Sequence, residues 1–127
     1  MKPITQTYRI KASPTEVFRA LTDAKAIEQW SGAPATMSPE LGVPFSVFDE
    51  WLTGENTEII TNEKIVQDWR CVEFEGKTRV TFTLTPDGDE TIVELIHEHV
   101  PEESYESIAQ GWKDCYMDLI QEMLEED

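Results

Sequence analysis

His97 and His99 flank Glu98, and of all the residues in this chain they come closest to the spacing of a metal site. Residues two apart on a strand share a face, so two imidazoles would stand side by side, half of a zinc set. The sequence offers no third ligand, and no metal is expected. His97 as a polar group facing a pocket and His97 as part of an ordinary strand-end pair both stay open. Asp87-Gly88-Asp89-Glu90 is too short and irregular for a calcium loop and reads as a hairpin turn. Glu58, Glu73 and Glu94 would act as a general acid or base only inside a cavity, and strand glutamates are usually solvated. The chain contains no G-x-S-x-G, no catalytic Cys-His signature, no phosphate-binding loop and no dinucleotide fingerprint. No catalytic residue and no cofactor is expected, and the protein is expected not to be an enzyme.

Binding is the chemistry that remains. Trp30, Trp51, Trp69 and Trp112, with Phe45, Phe48, Phe82 and Tyr116, could line an apolar pocket or could equally be plain core, since aromatics dominate burial in any fold. The pocket candidates are Trp30, Phe45, Trp51, Trp69, Phe82, His97, Trp112 and Tyr116. Trp69 and Trp112 lead, because the strand and helix that carry them should meet face to face.

Composition narrows the partners. Asp and Glu number 26 against 10 Lys and Arg, a net charge of −16, which repels phosphate backbones and anionic lipid headgroups. Neither nucleic acid nor membrane is an expected partner. The acidic surface serves solubility or meets a basic patch on another protein. Met1-Lys2-Pro3-Ile4-Thr5 lacks the apolar run of a signal peptide, and no stretch approaches the roughly 20 apolar residues of a membrane helix, so a cytoplasmic location is expected. Cys71 and Cys115 match neither a disulfide scaffold nor a zinc set and are expected to be buried thiols.

These side chains need elements to hold them. The chain is long enough for one core and too short for two, no linker or repeat interrupts it, and residues 1–127 read as a single α+β domain. Ile4, Tyr8 and Ile10 share one face of a first strand. Ser13-Pro14-Thr15-Glu16 is a capping box that starts a helix at Pro14, and Val17, Ala20 and Leu21 give that helix a buried face. Thr22 or Asp23 caps a second helix carrying Ile27 and Trp30, which ends at Ser31-Gly32. Strands are expected at Phe45 to Asp49, Gly54 to Thr61, Ile65 to Phe74, Thr78 to Thr85 and Thr91 to His99, with Val80, Phe82, Leu84, Val93, Leu95 and His97 facing inward. After Pro101-Glu102-Glu103-Ser104, a stripe of Ile108, Trp112, Cys115, Leu119 and Met123, widened by Tyr116, Ile120 and Leu124, predicts one helix of about 30 Å that crosses the sheet. Gly111 within it suggests a close approach to its backbone.

Several strings in this order resemble a known family across nearly the whole chain. They are Ala12-Ser13-Pro14, Val17-Phe18-Arg19-Ala20-Leu21-Thr22-Asp23, Trp30, Phe48-Asp49, Thr53-Gly54-Glu55 and Asn62-Glu63-Lys64-Ile65-Val66-Gln67-Asp68-Trp69-Arg70. Gly88-Asp89-Glu90-Thr91, Val100-Pro101-Glu102-Glu103 and Gly111-Trp112-Lys113 complete the set. Together they are similar to the START-like, helix-grip (SRPBCC) superfamily, and within it to homologues of the C-terminal domain of the activator of the 90-kilodalton heat-shock chaperone's ATPase. The resemblance implies a curved antiparallel sheet wrapped around a long C-terminal helix, two short helices after the first strand, an apolar cavity between sheet and helix, and no shared catalytic residue. Gly42-Val43-Pro44 departs from the Gly-Gly pair often found before the strand, and no counterpart of the eukaryotic activator's further N-terminal domain is expected. A hydrophobic small molecule in the cavity is the leading functional expectation. The alternative is a chaperone-associated domain that binds a heat-shock chaperone weakly and stimulates its ATPase little, and an enzyme using the same cavity comes third.

Overall fold

The computed structural model describes residues 3–72 and 76–125. Strand β1 (Ile4–Ile10) is followed by helices α1 (Pro14–Thr22) and α2 (Ala24–Ser31). Then come β2 (Pro44–Val47), β3 (Leu52–Ile60), β4 (Lys64–Cys71), β5 (Thr78–Asp87) and β6 (Glu90–Glu98). The chain ends in α3 (Tyr105–Trp112), a π-helical turn (Lys113–Met117) and α4 (Asp118–Glu125), which run on from one another.

All six strands join one antiparallel sheet in the order β1-β6-β5-β4-β3-β2. Period-two alternation decides which face is buried: Val80, Phe82 and Leu84 on β5 and Val93, Leu95 and His97 on β6 all point into the core. That face packs against the C-terminal helix through Ile108, Trp112, Tyr116, Met117 and Ile120, while α1 and α2 pack on each other and on α4. The Ser13 hydroxyl accepts the Glu16 amide at 3.3 Å and starts α1. Asp23 closes α1 with its backbone amide and opens α2 by accepting the Lys25 amide.

Gly54 permits β3 to lie close against the backbone of β4 and the Phe45 ring. A Cβ there would lie 1.9 Å from the Asp68 carbonyl oxygen and 3.0 Å from Phe45, so no other residue fits.

Four expectations are corrected. The strand expected through Asp49 stops at Val47, because Phe48, Asp49 and Glu50 turn left-handed with φ of 58°, 55° and 68°. Strand β6 ends at Glu98, and exposed His99 has φ of 70°, so the two imidazoles do not share a face. Asp118 donates its amide to the Lys113 carbonyl five residues back, and the extra residue in this π turn moves the buried stripe along by one. Tyr116 and Ile120 are therefore buried where Cys115 and Leu119 were expected; Cys115 is exposed and Cys71 half-buried. Finally, among the described residues nothing lies within 4 Å of a Cβ built on Gly111, so no close neighbour meets the helix backbone there. The remaining strands shift by a few residues at their ends, and the expected end of β4 at Phe74 lies outside the described residues, as does Glu73.

Candidate aromatic cleft

A cleft of about 280 Å³ opens between the C-terminal helix and the sheet. One wall is the β2–β3 turn with Phe48 and Trp51; behind stands Trp69 of β4. The helix supplies Ser107, Ile108, Gly111, Trp112, Cys115 and Tyr116. Their positions follow from local rules. Residues 108, 112 and 115 recur at helical spacing, and the missing side chain of Gly111 leaves a gap between them.

The aromatic rings form a continuous cluster. Trp69 and Trp112 lie with centroids 4.7 Å apart and planes at 25°, a stacked pair. Tyr116 sits 4.7 Å from Trp112 and 4.7 Å from Trp30. Phe48 meets Tyr116, Trp30 and Trp51 edge-on at 6.0 to 6.2 Å.

The buried indoles are satisfied from behind. Trp69 Nε1 donates to Gln67 Oε1 at 2.7 Å, Gln67 Nε2 donates to Asn56 Oδ1 at 2.9 Å, and Asn56 Nδ2 donates to the Ser38 carbonyl at 2.9 Å. Trp112 Nε1 donates to His97 Nδ1 at 3.0 Å, which leaves the imidazole proton on Nε2, 2.8 Å from Thr78 Oγ1. Burial pushes the His97 pKa down to about 4, so the ring is neutral near pH 7. The buried Tyr116 hydroxyl has no hydrogen-bond partner among the described residues, and burial pushes its pKa up. The cleft thus offers apolar ring faces and almost no polar handle, an arrangement for binding.

Of the expected pocket residues, Trp51, Trp69, Trp112 and Tyr116 border the cleft. The other four do not. Trp30 and Phe82 lie in the core against Tyr116. His97 is fully enclosed by contacts that include Trp69 and Trp112. Phe45 borders a separate polar groove with Glu50, Glu55, Asp68, Arg70 and Lys77. Sequence reasoning left Ser107, Ile108, Gly111 and Cys115 out of the site. The helix glycine was the signal available, and it marks an opening. Glu58 is exposed and paired with Lys64 at 3.3 Å, and Glu94 is exposed, so neither carboxyl enters the cleft.

The family model described as "Activator of Hsp90 ATPase homolog 1-like protein" matches residues 11–125. The chain belongs to this family. Among curated members of the activator group, "Activator of 90 kDa heat shock protein ATPase homolog" of Dictyostelium discoideum is 28% identical over 126 residues, covering 94% of this chain and 33% of its own length. The human homolog 1 is likewise 28% identical over 121 residues and is covered for 36% of its length. The chain thus spans about a third of these relatives. A crystal structure of an HSP90 activator from Plasmodium falciparum superposes with a TM-score of 0.91 at 25% identity, covering 98% of this chain and 96% of that one. The α+β helix-grip architecture expected from the sequence is therefore that of the activator family, with the aromatic cleft as one feature of its surface.

Proposed function

We propose that residues 1–127 form one cytoplasmic binding domain, without catalytic chemistry of its own, that associates with a chaperone of the Hsp90 kind. Membership of the activator family over residues 11–125 carries this reading, and the shape shared with an HSP90 activator supports it. The net charge of −16 favours a partner with a basic patch over nucleic acid or an anionic membrane. An attraction of this kind weakens as the Debye length shrinks from about 30 Å at 0.01 M salt to about 10 Å at 0.1 M. The test is titration of the protein into the Hsp90-class chaperone of its own organism at both salt concentrations, reading binding and ATP turnover. Association that is tighter at low salt is expected; none at either salt removes the reading.

A hydrophobic small molecule is the second reading, favoured by the stacked Trp69 and Trp112 beside a Tyr116 hydroxyl with no partner among the described residues. The neutral dye N-phenyl-1-naphthylamine should brighten on binding and quench tryptophan emission. No change in either signal up to the dye's solubility would count against a ligand site.

A further inference from the structure

Among the described residues, the longest run of left-handed backbone leads directly to the neighbour of the most exposed large apolar side chain. Phe48, Asp49 and Glu50 all have positive φ, and the next residue, Trp51, accepts the Val72 amide at 3.1 Å. Val72 is 71% exposed and Trp51 37%. Left-handed backbone is unfavourable for a non-glycine residue, and it persists where the surroundings over-determine it, often at binding sites. This turn sets Phe48 and Trp51 as one wall of the cleft and leaves Asp49 in solvent next to Phe48, while Glu50 borders the separate polar groove. On the helix side Gly111 leaves the wall open, and Asp114 is exposed next to exposed Cys115. Among the described residues no Lys or Arg lines the cleft.

We propose that this acid-rimmed slot is the face that meets the chaperone, taking one large apolar side chain carried on a segment rich in Lys and Arg. The inference rests on the chaperone reading and adds to it the face and the chemistry of the occupant. An apolar anchor in a desolvated pocket dominates affinity at such contacts, and opposite charge around it speeds encounter. Acidic residues on the rim select a basic segment.

Gly111→Leu provides the sharpest test, because the new side chain projects into open space and plugs the slot while improving helix propensity. Titration of the same chaperone at low salt should show Gly111→Leu and Trp51→Ala each weakening binding about tenfold or more. The melting temperature of Gly111→Leu should stay level or rise, and Ile96→Ala, on exposed β6 surface, should bind as the unaltered protein does. If the unaltered protein binds and both slot variants stay within about twofold of it, the docking face is elsewhere and the inference fails while the chaperone reading stands. No binding by the unaltered protein ends both. Gly111→Leu that abolishes self-association, or dye binding alone, with chaperone affinity intact assigns the slot to a second copy or to a small molecule and overturns the inference.

Discussion

Of the cleft's two walls, the inner one stacks Trp69 on Trp112 with both indole nitrogens hydrogen-bonded to buried partners. The outer one, from Phe48 to Trp51, is a partly exposed turn held in an unfavourable backbone region. The first has the properties of a core and the second those of a binding surface. Their difference shows how a fold divides the work: rings satisfied from behind supply stability, and the exposed wall is the one that carries strain.

The largest effect should come from the inner wall. Trp112→Ala removes the stack and leaves His97 Nδ1 without its donor, and a loss of about 3–5 kcal/mol is expected in urea melts. A loss below about 1 kcal/mol would mean that the wall is surface in energetic terms, and the comparison would collapse.

Protonation tests the same wall more gently. His97 carries a folded pKa of about 4 against 6.5 ordinarily, so the unfolded chain binds the proton more readily. The stabilisation is present above pH 6.5 and is lost as pH falls from 6.5 to 4, by roughly 3 kcal/mol in all. His97→Gln keeps an acceptor for Trp112 and a donor for Thr78, and it should lack this component. Parallel pH–stability curves for the two proteins between pH 7 and 4 would show that the imidazole is not the cause.

The outer wall should answer with the opposite sign. Asp49→Gly and Glu50→Gly relieve left-handed strain, so each should gain about 0.5–1 kcal/mol of stability despite the added chain entropy. A loss in both would show that the turn is unstrained.

The sequence revealed most of what regular spacing can reveal. The first strand was legible from Ile4 to Ile10 because the alternation is unbroken, and α1 because Ser13-Pro14 is a cap with a mechanism. Strand identity along β2 to β6 followed from turn residues. The cleft was half legible: Trp69 and Trp112 meet as their faces demanded, but Phe48-Asp49-Glu50 contains no glycine or asparagine to announce a left-handed turn. The π turn was invisible for a different reason. A single inserted residue leaves apolar residues at 115, 116, 119 and 120, so a 3.6-residue period fits either stripe and cannot choose between Cys115 and Tyr116.

The pairing of β1 with β6 has a kinetic consequence. Ile4 lies opposite His97, so among the described residues β1 finds its sheet neighbour only after β2, β3, β4 and β5 have intervened. Hairpins β3-β4 and β5-β6 need close only short loops, whereas β1 must close the longest one in the sheet. Until then β6 has an open edge, with half-exposed Ile96 beside the unpaired ladder. Pulsed hydrogen exchange during refolding should show β1 amides protected after those of β5 and β6, and simultaneous protection would contradict this order. Folding therefore passes through a state with a template for strand addition exposed, and docking of β1 must outrun the encounter of two such chains.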